Sequence, residues 1–259
     1  MAPERSAPPV LYFDSLDSTN EEALRQLGRG CDTPLWIVAG EQSRGRGRSG
    51  RRWQSPKGNL YASLLLRLNV SAVIATELSF VAALAAYDAI SSQLSSEQLA
   101  ALALKWPNDV MLKGSKIAGI LIESLADPKG SGLAAIIGIG INVSAAPPDT
   151  GRPVAALNAP PADCARVFSA LAAAFETWRS RWNEGKGFAS VREAWLARAH
   201  KPGEPITVHL YGSAIRGTFR GVDARGALQL ETSGGVVITL TAGDIYPDAQ
   251  GLPATEPEN

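Results

Sequence analysis

The segment from Glu41 to Trp53 carries the strongest chemical signal in the sequence: five arginines fall within nine of its residues, interleaved with three glycines. Glycine lets backbone N–H groups turn toward an anion, and arginine adds guanidinium forks that match phosphate and carboxylate oxygens. Such a density exceeds what an ordinary solvated surface needs, and it predicts an anion-binding loop. A flexible basic loop that contacts nucleic acid is the alternative interpretation of the same residues.

Three glycines of this loop, Gly45, Gly47 and Gly50, also satisfy the pattern G-x-G-x-x-G of dinucleotide-binding folds. That pattern needs a helix directly after it and an acidic residue about twenty positions further on. Here Arg-Arg-Trp-Gln-Ser-Pro follows, and neither requirement is met. The sequence contains no Gly-Lys-Ser/Thr phosphate loop either, so both nucleotide-binding motifs are rejected.

The segment Lys105-Trp-Pro-Asn-Asp109 places two polar residues at the end of a strand. Pro107 interrupts strand pairing, so Asn108 and Asp109 are expected to project from a turn. Such a pair can hold a nucleotide, a magnesium-bound phosphate or an incoming amine. An ordinary Pro-Asn-Asp turn explains the same residues without any site, and the segment alone does not separate the two interpretations.

Two predicted buried strands carry glycines in their interior, and one of them begins with a lysine. Lys116 heads one strand, with Gly119 three residues further on, and Gly138 and Gly140 interrupt the β-branched strand that ends at Asn142. Glycine inside a strand lowers stability unless another group packs against it. We therefore expect a ligand to approach the backbone here, beside a point positive charge, although Lys116 taken alone would be an ordinary surface lysine.

The composition is that of a globular protein with a full core. The 259 residues are 45% apolar, and 25 basic residues balance 25 acidic ones, which argues against a nucleic-acid coat protein without excluding a local basic pocket.

Two cysteines, Cys31 and Cys164, are too few to stabilise a domain of this size by disulfide bonds, and they favour a reducing compartment. The first nine residues lack the apolar core of a signal peptide, and the apolar stretch 78–90 is too short to span a membrane. We expect a cytoplasmic protein.

The only histidines in the sequence, His200 and His209, fall in the C-terminal part. A Ser-His-Asp triad or a histidine-ligated metal site would have to be built around them. Neither cysteine has a Cys-x-x-Cys partner. Nucleophilic and metal chemistry are therefore poorly supported.

The elements that position these segments follow from periodicity. Residues 17–28 are predicted to form a helix, because Ser18 and Thr19 each precede a glutamate by three positions and Gly28 ends the pattern. Apolar residues at three- and four-residue spacing predict further helices around 78–85, 167–182 and 188–195. Buried strands are predicted at 35–39, 60–68, 103–106, 110–112, 117–123 and 133–143, and the Pro- and Ala-rich tract 144–163 is predicted to be an irregular surface connection.

The pattern changes after Lys201-Pro-Gly203. Short alternating strands at 205–210, 214–222, 227–232 and 236–240 are joined by glycine-bearing turns, which predicts a small all-β barrel of about 45 residues behind a hinge. The expected organisation is a flexible tail at 1–11, a mixed α+β domain at 12–200, a barrel at 201–247 and a second flexible tail at 248–259.

In this order and spacing the segments resemble the biotin protein ligase family. The residues that carry the resemblance are Asp17-Ser-Thr-Asn20, Gln42 with Gly45-Arg-Gly-Arg-x-Gly-Arg-x-Trp53, Lys105-Trp-Pro-Asn-Asp109, Lys116-Ile-Ala-Gly119-Ile-Leu-Ile-Glu123 and Gly138-x-Gly-Ile-Asn142, with a weaker match at Gly243-Asp-Ile245. Five ordered motifs are hard to obtain by chance. The resemblance covers residues 12–142 in motifs and the barrel more weakly.

The resemblance implies a fold and a reaction. The fold is a mixed, largely antiparallel sheet flanked by helices, related to class II aminoacyl-tRNA synthetases, with a C-terminal SH3-like barrel. The reaction joins biotin and ATP into biotinyl-5′-adenylate and releases pyrophosphate, after which a lysine of a biotin carboxyl carrier domain of the acetyl-CoA carboxylase type takes the biotinyl group. About a dozen residues precede the first motif, too few for the helix-turn-helix of the family's repressors, so the chain resembles the ligase-only type, with no DNA and no membrane as partner.

The resemblance also assigns roles to individual residues. The implied biotin-binding residues are Ser18, Thr19, Asn20, Gln42, Gly45, Arg46, Gly47, Arg48, Trp53, Tyr61, Lys116, Gly119 and Gly138. The implied ATP-binding residues are Arg46, Arg48, Arg51, Trp53, Asn108, Lys116 and Asn142. Lys116, Arg48 and Asp109 are the implied catalytic residues, and magnesium is expected to be held mainly by ATP oxygens rather than by protein side chains.

Each step of this reaction sets its own physical difficulty. Adenylation must bring a carboxylate and an α-phosphate together, and their repulsion accounts for the density of arginine. Transfer needs a neutral lysine, which costs about 4.6 kcal/mol at pH 7 for a pKa near 10.4. Desolvation and a nearby carboxylate, Asp109 by position, form our hypothesis for how that proton is accepted or oriented.

Two other functions stay open at this point. A lipoate or octanoyl ligase shares the architecture, although the arginine–glycine run and Lys105-Trp-Pro-Asn-Asp109 favour biotin. A non-enzymatic biotin-sensing regulator is the alternative from another class. The zero net charge and the missing DNA-binding segment weigh against that regulator.

Overall fold

The computed structural model describes residues 7–130, 132–148, 150–160, 163–199, 201–210 and 213–247. The first six residues, the predicted tail at 248–259 and His200 lie outside the described residues. The first strand begins at Val10, so the predicted N-terminal tail of 1–11 is too long, and its last two residues are paired within a sheet. A four-residue strand near a chain end carries too little alternation to be recognised from sequence.

A seven-stranded sheet forms the centre of the larger part of the chain. Its strands, in chain order, are β1 (Val10–Phe13), β2 (Leu35–Ala39), β3 (Leu60–Leu68), β4 (Leu102–Lys105), β5 (Asp109–Leu112), β6 (Ser115–Ala126) and β7 (Leu133–Ile141). They lie in the order β1-β2-β3-β7-β6-β5-β4, with β1 parallel to β2 and the other neighbouring pairs antiparallel. The predicted strands are confirmed, with bounds that differ by up to three residues.

Helices pack on both faces of this sheet. The described helices are α1 (Thr19–Gly28), α2 (Ala72–Ala75), α3 (Leu78–Ser91), α4 (Ser96–Leu99), α5 (Cys164–Trp182) and α6 (Phe188–Leu196), of which α1, α3 and α5 contact the sheet. Successive side chains of β3 alternate between two cores: Leu64 and Leu66 pack in the core that contains α3, whereas Leu65 packs with the apolar residues of α1. A fully buried leucine contributes about 2 kcal/mol, so this alternation fixes the register of β3.

Helix α3 is enclosed by the sheet, α5 and α6. Ten of its fourteen residues are buried, more than the single apolar stripe of a surface helix provides. By length and composition the helical stretch Ala72–Ser91 also meets the criteria for a membrane span, with a mean hydropathy of 1.6, but 61% of that window is buried inside the protein. Packing in the core therefore accounts for its apolar character.

The ends of α1 differ from the predicted signals. The helix begins at Thr19, and the side chain of Ser18 makes no capping hydrogen bond; its backbone N–H instead donates to Asp17 Oδ1 at 2.8 Å. Gly28 is the last helical residue, and the left-handed residue that follows is Gly30, at φ +75°. Ser18 is therefore not used as a helix cap.

Five antiparallel strands make up the C-terminal part: β8 (Pro205–Leu210), β9 (Ser213–Val222), β10 (Leu228–Glu231), β11 (Val237–Leu240) and β12 (Asp244–Pro247). They lie in the order β11-β10-β9-β8-β12. The sequence analysis missed β12 and the helices α2 and α4, because elements of four residues carry almost no periodicity. The fold class is confirmed as a mixed, largely antiparallel sheet flanked by helices and followed by a small all-β unit.

The C-terminal sheet contacts the turn that carries Asn108 and leads into Asp109, the first residue of β5. The indole Nε1 of Trp106 donates to the Gly226 carbonyl at 3.0 Å in a buried position. Gly226 has φ +82°, and a Cβ there would overlap with the ring of Phe80 on α3. This junction therefore depends on close backbone packing as well as on the hydrogen bond.

Candidate functional site

A cavity of about 360 Å³ lies where the arginine loop (residues 44–53), the start of α1 and the middle of the sheet meet. Its size suits a small molecule. The predicted residues that line it are Ser18, Thr19, Asn20, Gln42, Arg46, Gly47, Arg48, Arg51, Trp53, Tyr61, Asn108, Asp109, Lys116, Gly119, Gly138 and Asn142. Gly45 is also predicted to bind the ligand, but it is not part of the cavity lining, and a Cβ there would overlap with the Trp53 carbonyl and Ser55 Oγ.

The N-terminus of α1 closes one end of the cavity with a network of hydrogen bonds. The backbone N–H and the hydroxyl of Thr19 donate to Gln42 Oε1 at 2.8 and 3.1 Å, and Gln42 Nε2 donates to Ser55 Oγ at 2.9 Å. The Gln42 amide is thus engaged at both ends. In this structure it holds Thr19 in place, which differs from the direct ligand contact that the sequence suggested.

Ser63 lies at the centre of this network, and the sequence analysis missed it. Its hydroxyl is fully buried on β3, 2.7 Å from Thr19 Oγ1 and 2.6 Å from Asn20 Oδ1. Asn20 Nδ2 in turn donates to Glu123 Oε2 at 2.6 Å, which makes Glu123 a second missed member. The available signal was a serine inside a buried strand, since such a hydroxyl needs a hydrogen-bond partner.

Paired glycines form the floor of the cavity. Gly119 on β6 and Gly140 on β7 are cross-strand partners, and the Trp53 ring lies on both, so that a Cβ at Gly140 would come within 2.7 Å of the indole. Lys116 Nζ lies 5.1 Å from the centroid of the same ring. Among the described residues the buried Trp53 Nε1 has no hydrogen-bond partner. Trp53 packs against the bare backbone of these glycines, where the sequence analysis expected a ligand to approach.

Asp109 joins two lysines on another side of the cavity. Its Oδ1 lies 2.6 Å from Lys116 Nζ and its Oδ2 lies 3.3 Å from Lys105 Nζ, and Asp109 is 7% exposed. Burial raises the pKa of Asp109, but the two ammonium groups outweigh it and hold the pKa below its usual value. Burial also lowers the pKa of Lys105. Asp109 is thus an ionised carboxylate that holds both lysines beside the cavity.

Arg48 connects the arginine loop to two other elements. Its Nη1 donates to Asn108 Oδ1 at 3.2 Å and to the Gly243 carbonyl at 3.4 Å. Ser49 beside it has φ +56°, a left-handed conformation that residues with a side chain seldom adopt. Burial lowers the pKa of Arg48, which nevertheless remains a cation. The Arg48 side chain thus closes the loop over the cavity.

Carboxylates hold two further arginines at the rim. Arg46 lies 2.5 Å from Glu21 and 3.3 Å from Glu123, and Arg51 contacts Asp244 at 2.8 and 3.0 Å. Asp244 belongs to the weakly matching Gly243-Asp-Ile245 segment, for which the sequence indicated no role. These pairs set the orientation of both guanidinium groups.

Asn142 and Tyr61 complete the predicted lining. Asn142 Nδ2 donates to the Ala155 carbonyl at 2.9 Å, and in the described part of the chain its buried Oδ1 has no partner. A bound group is expected to satisfy such an oxygen. Tyr61 donates its hydroxyl to the Pro56 carbonyl at 2.7 Å, so the ring is the part that faces a ligand. Burial raises the pKa of Tyr61.

The cavity thus joins a polar end at the start of α1 to a rim that carries several arginines. Residues 12–142 match the model of the biotin/lipoate A/B protein ligase family, and residues 203–246 match the biotin protein ligase C-terminal domain. The chain therefore belongs to the biotin/lipoate A/B protein ligase family, as the motifs suggested.

Individual proteins are similar to this chain over most of its length. A biotin--[acetyl-CoA-carboxylase] ligase of Paracoccus denitrificans is 43% identical over 240 residues, which cover 89% of this chain and 97% of that protein. A biotin protein ligase from Aquifex aeolicus, solved in complex with biotin and ATP, has the same fold, with a TM-score of 0.74, 24% identity and coverage of 92% of this chain and 97% of that one. The biotin protein ligase from Leishmania major, solved with biotinyl-5-AMP, is 28% identical with a TM-score of 0.56, covering 92% of this chain and all of that one.

Proposed function

We propose that the chain is an ATP-dependent biotin protein ligase, which joins biotin to a lysine of a carrier protein through biotinyl-5′-adenylate. The observation that carries the proposal is that one cavity combines the Ser63 network with Lys116 and Arg48, a polar end for an uncharged ring and a cationic end for two anions. The 43% identity to a protein named as a biotin--[acetyl-CoA-carboxylase] ligase supports it.

The ureido group of biotin is assigned to the end formed by Ser18, Thr19 and Asn20. Hydroxyl and amide groups there offer both donors and acceptors, as a cyclic urea requires. Ser63 and Gln42 hold Thr19 and Asn20 in place before the ligand arrives, which reduces the ordering needed on binding. The apolar part of the ring system then lies against Trp53.

The biotin carboxylate is assigned to Lys116, beside the α-phosphate of ATP. One carboxylate oxygen attacks the α-phosphorus, and the bond from that phosphorus to the pyrophosphate oxygen breaks. Lys116 and Arg48 bind the oxygens of two reactants that would otherwise repel each other. Asp109 acts by holding Lys116 at 2.6 Å, and this role replaces the hypothesis that Asp109 accepts the proton of the acceptor lysine.

Magnesium fits this site as a partner of the ATP phosphates. No group of three or more His, Cys, Asp or Glu side chains suited to a metal ion occurs in the part of the chain that the structure describes. Asn142 Oδ1, buried without a described partner, is an oxygen of the kind that a hard cation prefers. Asn142 would hold the ion or the phosphate that carries it, and the ion would supply charge neutralisation to the leaving pyrophosphate.

The acceptor is assigned as a lysine of a biotin carboxyl carrier domain of the acetyl-CoA carboxylase type, following the name of the 43% identical relative. The neutral amine attacks the carbonyl carbon of the mixed anhydride, AMP leaves with the bonding electrons, and the surplus proton passes to solvent. The cytoplasm is the proposed compartment, because Cys31 and Cys164 are free thiols. Neither DNA nor a membrane has a role in this proposal.

Biotin-dependent exchange of labelled pyrophosphate into ATP tests the proposal. We expect exchange with biotin and none with lipoate or octanoate. Exchange with lipoate alone would instead make the chain a lipoate-type ligase of the same family. Biotin binding without exchange would favour the biotin-sensing regulator, which filter binding with genomic DNA would then test.

A further inference from the structure

Asp244, the first residue of β12, lies at the cavity rim between arginines from two separate segments. Arg51 of the arginine loop faces it with both terminal nitrogens, at 2.8 and 3.0 Å, and Arg152 of the connection 144–163 lies 3.4 Å from its Oδ2. Burial raises the pKa of Asp244, but the hydrogen bonds and positive charges of Arg51 and Arg152 together outweigh it, and the pKa falls below its usual value. One ionised carboxylate thus holds two guanidinium groups.

The charges around this contact are mostly positive. Arg48 and Lys116 line the same cavity, and Asp109, the other carboxylate in its lining, is already held by two lysines. Cations gathered in a partly desolvated site repel one another unless an anion compensates them. Asp244 provides that compensation for the outer part of the cavity.

We propose that Asp244 is an internal counter-ion of the polyphosphate subsite: it holds Arg51 and Arg152 until the β- and γ-phosphates of ATP displace it. Arg152, in the connection 144–163, is then a phosphate-binding residue that lies outside every motif in the sequence. The inference rests on the proposed function and specifies which side chains meet the leaving pyrophosphate.

The geometry suits such an exchange. A carboxylate and a phosphate present the same pair of oxygens to a guanidinium fork, so Arg51 can change partner without changing its orientation. The ion pair that must break is partly solvated, since Arg51 is 41% and Asp244 27% exposed, so water can hydrate both groups as they separate. A polyphosphate also carries more charge than one carboxylate.

The exchange of partners at Arg51 makes the contact between the arginine loop and β12 depend on the stage of the reaction. When pyrophosphate leaves, Asp244 regains Arg51 and Arg152, because the adenylate retains only its α-phosphate. The contact between β12 and the arginine loop therefore re-forms while the adenylate is bound. Polyphosphate and adenylate should consequently respond differently to changes at Asp244 and Arg152.

Calorimetric binding of inorganic pyrophosphate to the full-length protein tests this proposal. We expect Arg152→Met to weaken pyrophosphate binding and raise the KM for ATP about tenfold, because one charged phosphate contact is lost. We expect Asp244→Asn to tighten pyrophosphate binding about fivefold, because the competing carboxylate is gone. Affinity for biotin and for a non-hydrolysable biotinyl-adenylate analogue should stay within twofold in both variants.

The matched control is Asp127→Asn, which breaks the 3.0 Å pair with Arg67 outside the cavity lining and should leave pyrophosphate binding unchanged. Unchanged pyrophosphate affinity in Arg152→Met, or weaker binding in Asp244→Asn, would overturn the proposal. If Arg152→Met also loses biotin affinity, the variant is misfolded, and Arg152→Lys takes its place: a partial loss of pyrophosphate affinity supports the proposal and no loss overturns it.

Failure of the proposed function is visible in a different measurement. If the unmodified protein shows no biotin-dependent pyrophosphate exchange, the ligase assignment fails. If it shows exchange while the variants bind pyrophosphate as the unmodified protein does, the ligase assignment stands and only the role of Asp244 and Arg152 fails.

Discussion

Asn20 of α1 lies directly against the backbone of Gly138 on β7, in the space that a Cβ at that glycine would need. The same asparagine contacts Ser63 and Glu123, so it cannot move aside without breaking both hydrogen bonds. The polar end of the cavity therefore keeps its shape because Gly138 has no side chain, which leaves room on β7 for Asn20.

Gly138→Ala is expected to weaken biotin binding at least about a hundredfold, because the added methyl group displaces Asn20 and leaves buried polar atoms unpaired. Isothermal titration with biotin measures the effect. Gly130→Ala is the control, since a Cβ at Gly130 meets nothing within 4 Å. Normal biotin affinity in Gly138→Ala would mean that the position of Asn20 does not determine recognition.

Asp109→Asn is expected to slow adenylate formation as well as transfer, each about a hundredfold. The amide cannot hold the Lys116 and Lys105 ammonium groups, which would then face each other without an intervening charge. Single-turnover measurements separate the two steps. A defect confined to transfer would restore Asp109 as the group that accepts or orients the proton of the acceptor lysine.

Arg48→Gly is expected to release the adenylate about a hundredfold faster while adenylate synthesis falls less steeply. The substitution removes the contacts with Asn108 and the Gly243 carbonyl that close the arginine loop. Blotting for biotin on an unrelated lysine-rich protein, incubated with the variant, biotin and ATP, reports the escape. Arg44→Gly is the control, because it adds a glycine to the same loop at an arginine that is 79% exposed. An unlabelled bystander with the adenylate still enzyme-bound would show that Arg48 serves synthesis alone.

Asp17→Asn is expected to lower the free energy of unfolding by about 1 kcal/mol at pH 7. The hydrogen bond from Arg25, helped by the Ser18 N–H and opposed by burial, lowers the pKa of Asp17 to about 2. A carboxylate with a lowered pKa stabilises the folded state above its ordinary value of 3.8 and loses that effect as the pH falls toward 2. Denaturant unfolding at pH 7 and pH 3 should therefore show a smaller difference between the two proteins at the lower pH. An equal difference at both would assign the effect to something other than this charge.

Much of the fold could be predicted because local patterns determine it. The largely apolar runs of β3 and α3 each reflect burial that is visible within one segment. The glycine floor was also predictable, because glycine inside a strand requires a close neighbour. That the neighbour is Trp53 could not be derived from spacing, since the contact depends on how the loop folds back.

The rest depends on contacts between distant segments. Ser63 becomes part of the site only because β3 brings it beside α1, and Asp244 only because the C-terminal sheet reaches the arginine loop. The orientation of Gln42 is set by Thr19 and Ser55, whose positions no local pattern fixes. The sequence identified the residue types that the chemistry needs. Only the tertiary structure shows which of these residues hold the others in place.

The floor of paired glycines has a consequence for ligand choice. The space above Gly119 and Gly140 is filled by a side chain from the loop, so one substitution, Trp53→Ala, would empty it while leaving the strand hydrogen bonds in place. A biotin analogue with a bulky ring substituent would then fit the variant and be rejected by the unmodified protein. The chain thus offers an orthogonal enzyme–ligand pair, in which a chemical handle is attached by the altered protein and ignored by the native one.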